Sequence, residues 1–172
     1  MDHHRWHDCT LHWRDSIVIA LLQRVSSASV EVEGETVGKI GAGLVVLLGV
    51  YEDDTAQDAE FLANKCPNLR IFGDDNDAMN LSLLDIGGAI LAISQFTLCA
   101  NARKGRRPSF DSAMPPEQAN ELYDLFCAEI EKTGACVERG VFGAKMTVKI
   151  INEGPVTIIL NSRETRRGNF KE

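Results

Sequence analysis

The sequence predicts an α+β fold: a mostly antiparallel, barrel-like β-sheet core with two main helices packed on it. Apolar and alternating runs rich in β-branched residues fill the stretch from Ile17 to Val50 and return in the last third. Between them, two segments carry their apolar residues at helical spacing. With 172 residues and 44% hydrophobic content, the chain has the material for one domain with a real core. That domain is expected over 19–162, preceded by an atypical, flexible extension over 1–18 and followed by a charged tail over 163–172.

The sheet is expected to begin at "IVIALLQRV" and continue through the alternating "SVEVEG" and "ETVGKIGAGLVVLLGVY", which Gly34, Gly41 and Gly43 punctuate into three or four strands. From Thr55 the period changes. Ala59, Leu62, Ala63 and Cys66 fall at i, i+3, i+4 and i+7, Thr55 and Asp58 form an approximate capping box, and Pro67 is expected to end or kink the helix. A short strand "LRIF", a polar turn "GDDNDAMN" and the strand "AILAISQFTL" follow. The second helix starts behind Pro115 and Pro116, turns Ala119, Leu122, Tyr123, Phe126 and Ile130 to one face, and stops at Gly134. The final apolar region, "CVERGVFGAKMTVKIINEGPVTIILNS", gives two or three more strands. Within it Gly154 and Pro155 mark a tight turn or bulge, because proline removes a ladder donor and glycine weakens packing.

The formal net charge of −7 argues against general affinity for phosphate backbones but leaves room for a local basic patch. No apolar run approaches the roughly 20 residues that a bilayer-spanning helix needs. The polar, aromatic start "MDHHRWHDCTLHWRDS" lacks a secretory pattern, so a cytoplasmic location is expected. The histidines, His3, His4, His7 and His12, all lie in this start, with no partners at metal-ligand spacing. Five cysteines, Cys9, Cys66, Cys99, Cys127 and Cys136, form no C-x-x-C pair and read as reduced, mostly buried thiols. Neither a metal nor a cofactor is expected.

The stretch "ILAISQFTLCANARKGRRPSF" admits two readings. Ser94, Gln95 and Thr97 mark either the point where a buried strand meets solvent, or a pocket wall that orients a carbonyl and stabilises an oxyanion. A threonine hydroxyl attacks only with a base to activate it, and the domain holds no histidine, which argues against a Ser/Thr–His–Asp triad. Arg103, Lys104, Arg106 and Arg107 form either a solvated loop or a phosphate-contacting one. Their place next to the candidate pocket favours a substrate with a polyanionic handle.

Taken together, "LLQRVSSASVEVEGE", "GLVVLLGV", "NLRIF", "MNLSLLDIGGAILAISQFTL", "RKGRRPSF" and "NEGPVT" resemble, in order and spacing, the D-aminoacyl-tRNA deacylases. The resemblance runs from Ile19 to about Leu160, and the pairing of SQFT with GPVT is its most specific part. It implies a homodimeric hydrolase that cleaves the ester of D-aminoacyl-tRNA, and of glycine mischarged on tRNA, using no cofactor. It further implies a cis Gly154–Pro155 bond that enters the pocket of the second subunit, where main-chain carbonyls exclude an L side chain. Ser94, Gln95, Phe96 and Thr97 would line that pocket, with Met79 and Asn80 as neighbours. A tRNA ribose hydroxyl would assist the attacking water, and Arg103, Lys104, Arg106 and Arg107 would meet tRNA phosphates. The competing expectation is a tRNA-binding module without hydrolytic activity. The chain departs from the family pattern in its first 18 residues, at Pro67, and at Cys99, where an aromatic is common.

Overall fold

Strand and helix follow one another in the order β1 (Ile19–Val32), β2 (Glu35–Ile40), β3 (Gly43–Gly49), α1 (Ala56–Asn68), β4 (Phe72–Gly73), β5 (Met79–Leu81) and β6 (Ala89–Ser94). A 3-10 turn (Phe96–Cys99), α2 (Pro116–Lys132), β7 (Cys136–Arg139) and β8 (Met146–Asn161) complete the set. The structure, a computed structural model, describes residues 18–103 and 105–162. The histidine-bearing start, Cys9, Lys104 and the tail 163–172 lie outside the described residues.

Six strands form one sheet in the order β2-β1-β3-β6-β7, with β8 on the other edge of β1. Strand β1 is long enough to serve two neighbours on one side, pairing β3 through Ile19–Val25 and β2 through Ala28–Val32. All pairings of β1 are antiparallel, whereas β3–β6 and β6–β7 are parallel. At the far side β2 returns towards β7: a Cβ placed on Gly38 would lie 3.0 Å from the Arg139 carbonyl oxygen. The sheet therefore curls into a nearly closed barrel.

Side-chain alternation sorts the core into two compartments. Val18 just before β1, Ala20 and Leu22 of β1, Leu44, Val46 and Leu48 of β3, and Ile90 and Ala92 of β6 face the helices. There they meet Leu62 and Cys66 of α1 and Tyr123, Phe126 and Ile130 of α2. The opposite faces contribute Val25, Ala28, Val30, Ile40, Val45, Leu91 and Ile93 to the barrel interior, closed by Met146, Val148 and Ile150 of β8. Strands β3 and β6 read as near-continuous apolar runs because both of their faces are buried.

Not every boundary follows the expectation. Helix α1 does end near Pro67, as expected, one residue beyond it, where Asn68 Nδ2 donates to the Asn64 carbonyl at 2.8 Å. A proline this close to a helix end disturbs only a terminal turn. Of "LRIF", only Phe72 enters a strand, and its partner β5 arises inside what reads as a polar turn. The expected strand through Leu98 ends at Ser94.

Both ends of the described chain are clasped at the start of α1. Ser162 N donates to the Val18 carbonyl at 3.2 Å, and Val18 N donates to Asp54 Oδ1 at 2.7 Å. Ser162 Oγ donates to Asp58 Oδ1 at 2.9 Å. The second oxygen of Asp58 accepts from Thr55 N at 3.1 Å and Thr55 Oγ1 at 2.7 Å, so the capping carboxylate also secures the last strand.

Candidate active site

The apolar stretch Ala89–Ile93 is held between β3 and β7, and the chain leaves the sheet where polarity begins. Gln95 N donates to the Leu48 carbonyl at 2.7 Å, after which the backbone tightens into the 3-10 turn. Leu98 N donates to Gln95 O at 3.2 Å and Ala100 N to Thr97 O at 3.2 Å. The amides of Phe96 and Thr97 stand at the start of this turn, where a tight helix leaves its first donors without an internal partner. Gln95 Nε2 donates to Thr97 Oγ1 at 2.5 Å.

A cavity of about 570 Å³ opens beside the turn. Ser94, Gln95 and Phe96 line it from the strand end, whereas Thr97, expected with them, does not; Leu48 and Ile93 lie behind, Met114 and Pro116 at the start of α2, and Phe142, Met146 and Val148 opposite. Phe110 completes the rim with its ring edge-on to Phe96, the centroids 5.1 Å apart. Among the described residues that line it, none is ionisable. Such a wall offers shape, apolar surface, an amide side chain and main-chain groups rather than a general base.

The second motif forms separately. Opposite Arg24, four residues of β8, Glu153 to Val156, swell out of the ladder: Gln23 pairs Thr157 and Val25 pairs Asn152. The Gly154–Pro155 bond is cis and Gly154 has φ +110°. Both residues are exposed at the tip of this bulge. Asn152 Nδ2 closes the loop by donating to the carbonyls of Arg24 at 2.8 Å and Val156 at 3.1 Å. Under the tip lies Arg24, whose Nη1 donates to the Ile71 carbonyl at 2.7 Å. Its Nη2 stands 3.0 Å from where a Cβ on Gly154 would be, and its Nε is buried with no partner among the described residues.

Met79 and Asn80 lie on β5, held from the neighbouring segment by Arg70. Arg70 Nε donates to the Asn80 carbonyl at 2.6 Å and Arg70 Nη2 to Asn80 Oδ1 at 2.8 Å, while Met79 is 61% exposed. The Asn80 amide donates to Asp74, and this bond, with those from the Asn76 and Ala78 backbone, holds the Asp74 carboxyl below its ordinary range. None of Gly154, Pro155, Met79 and Asn80 lines the cavity beside Phe96.

The basic loop stands at the cavity's rim. Its base is closed by reciprocal backbone bonds between Asn101 and Ser109, at 2.8 and 2.9 Å, one residue before Phe110. Arg103, Arg106 and Arg107 are exposed, and no ion pair among the described residues holds them. Sequence reading missed Arg24, Asn152, Phe110 and Phe142. Only Arg24 carried a visible signal, a long cation inside an otherwise apolar run.

Among the described residues no group of three or more His, Cys, Asp or Glu stands together as a metal site, and no helix is long and apolar enough to cross a membrane.

In architecture the chain is similar to a structure described as that of a probable eukaryotic D-amino acid tRNA deacylase, with a TM-score of 0.72 over 84% of this chain and 98% of that one. At 19% identity that likeness is one of fold. It is also similar to the c-Myc DNA Unwinding Element Binding Protein, with a TM-score of 0.79 and 43% identity over 83% of this chain and 97% of that one. The class defined by the fold is thus a curled, nearly closed sheet with two helices packed on one face. In sequence, the chain is 57% identical to the D-aminoacyl-tRNA deacylase of Pelobacter propionicus over 82% of this chain and 97% of that protein. It is 54% identical to that of Thermodesulfovibrio yellowstonii over 85% of this chain and the whole of that protein. The family model for D-Tyr-tRNA(Tyr) deacylase matches residues 21–161. The chain belongs to the D-Tyr-tRNA(Tyr) deacylase family and is an enzyme of the hydrolase class.

Proposed function

We propose that the protein hydrolyses the ester between a D-amino acid, or glycine, and the terminal ribose of tRNA, releasing free amino acid and tRNA. The observation that carries this reading is a cavity wall without an ionisable side chain, beside a turn that begins with the Phe96 and Thr97 amides. A water oxygen bonds to the ester carbonyl carbon, the Phe96 and Thr97 amides stabilise the oxyanion, and the ribose oxygen departs with a proton. With no general base in the wall, the neighbouring ribose hydroxyl of the substrate assists the water. Thr97, tied to Gln95, positions the ester and does not attack it.

Chirality is read by exclusion. In a homodimer, Gly154 and Pro155 of a second copy enter the cavity, and their carbonyls face the substrate's α-carbon, leaving room for hydrogen but not for an L side chain. Exposure of the bulge tip, away from its own chain's cavity, supports this sharing. Met79 and Asn80 act as further neighbours of the bound substrate, while Arg103, Lys104, Arg106 and Arg107 meet the phosphates of the tRNA acceptor end in the cytoplasm. Incubation with D-tyrosyl-tRNA and L-tyrosyl-tRNA tests the reading: amino acid is released from the D ester alone. Equal cleavage of both sinks it, as does salt-sensitive tRNA binding without cleavage of either.

A further inference from the structure

The 3-10 turn is short, partly exposed and set beyond the end of its strand, so something must hold its amides still. Four consecutive residues at the end of β3 touch it in succession. Leu48 accepts from Gln95 N at 2.7 Å, Val50 accepts from Cys99 Sγ at 3.4 Å, and the Tyr51 hydroxyl donates to the Leu98 carbonyl at 3.4 Å. Between them, Gly49 lets the turn settle onto the strand: a Cβ there would lie 2.9 Å from Leu98 Cβ and 3.3 Å from Cys99 Sγ, with Ile19 Cγ2 at 2.9 Å behind it. Distances under 3.0 Å between such atoms require something to shift, and here one neighbour is a Cβ fixed to the turn's own backbone.

Tyr51 is itself tightly fixed. Its N–H donates to Asp54 Oδ2 at 2.5 Å, its backbone bridges Ala113 on the cavity wall, and its ring is 7% exposed in a cluster with Ile19 and Cys99. Asp54 in turn accepts from Val18 N, so the support reaches back to β1.

We infer that Leu48–Tyr51 form a cradle that positions the turn, with Gly49 and Tyr51 acting as positioning residues for the Phe96 and Thr97 amides. They set the rate of the chemical step without contributing to substrate affinity. The catalytic consequence rests on the deacylase reading above; the positioning of the turn does not.

The test uses the full chain. Gly49→Ala displaces the turn and is expected to lower kcat for D-tyrosyl-tRNA by about 100-fold, the scale of an ångström-level misplacement. Tyr51→Phe keeps the ring, removes one long hydrogen bond, and is expected to lower kcat about threefold. In both, KM is expected to change less than kcat, since the basic loop and the cavity wall opposite the turn are untouched. Ser162→Ala, which removes a buried hydroxyl bond at α1, supplies the comparison: it lowers the melting temperature and leaves kcat unchanged. Amide hydrogen exchange at Leu98 and Ala100 is expected to quicken in Gly49→Ala and Tyr51→Phe and not in Ser162→Ala. Unchanged kcat and unchanged exchange in folded Tyr51→Phe and Gly49→Ala overturn the cradle, as does a loss confined to KM. If Gly49→Ala fails to fold, Tyr51→Phe decides alone. An inactive parent enzyme overturns the deacylase reading and with it the catalytic claim, whereas faster exchange at those two amides still upholds the positioning.

Discussion

Replacing Gly154 by alanine adds one methyl group at the most constrained point of β8. The residue has φ +110°, and the new Cβ would meet Val156 Cγ2 at 2.9 Å, Val156 N at 3.0 Å and Arg24 Nη2 at 3.0 Å. A non-glycine residue in that region costs on the order of 1–3 kcal/mol. Relief requires the loop to lift or Arg24 to move, and moving Arg24 weakens its bond to the Ile71 carbonyl, a charged hydrogen bond worth about 1.5–3 kcal/mol. The two routes compete rather than add, so urea denaturation should report a loss of about 2–3 kcal/mol. If the loop lifts, a chirality filter built from its carbonyls opens. Release from D-tyrosyl-tRNA is then expected to fall by about 100-fold while L-tyrosyl-tRNA becomes a measurable substrate. A Gly154→Ala protein of parental stability with an unchanged D-to-L ratio would refute both the crowding argument and the role given to the bulge.

Thr97→Ala is expected to keep deacylation within about tenfold of the parent, since the hydroxyl positions and does not attack; a trapped acyl-enzyme in the parent protein would overturn that. Neutralising Arg103, Arg106 and Arg107 together should raise KM for tRNA esters and flatten the dependence of log KM on log salt by about two, at roughly 0.7 for each single-strand phosphate that no longer meets a cation. An unchanged salt slope would place the phosphates elsewhere. Burial raises the Cys66 thiol from 9.0 to about 12, so between these values the folded chain keeps a proton that the unfolded chain releases. Stability must therefore fall as pH rises through that window, by at most about 1.4 kcal/mol per unit for this thiol. Cys66→Ala should show the shallower decline between pH 9 and 11, and identical slopes in parent and variant would refute the assignment.

Most of the fold could be read from periodicity, and its failures share a cause. The helices were legible because Ala59, Leu62 and Cys66, or Tyr123, Phe126 and Ile130, repeat against one buried compartment. Boundaries such as Ser94 and Phe72 depend on where neighbouring strands stop, which no local pattern encodes. Ser94, Gln95 and Phe96 were legible as a pocket wall because polarity interrupts a buried strand. Phe142, Phe110 and Met114 were not, since each reads as an ordinary apolar residue until the chain brings it opposite the turn. Gly49 was hidden for a different reason: it belongs to an apolar run, and its importance lies in the absence of a side chain where Leu98 rests.

The clasp between Val18 and Ser162 makes the barrel almost circular in connectivity. Their backbones already share a hydrogen bond of 3.2 Å, so a linker of a few residues, in place of residues 1–17 and 163–172, could join them without straining the folded barrel. The chain could then be reopened at the exposed Glu33–Gly34 turn between β1 and β2, leaving every strand pairing intact. Order along the polypeptide is thus separable from the architecture it builds. What the barrel needs conserved is the closeness of Val18 and Ser162 and not their order along the chain.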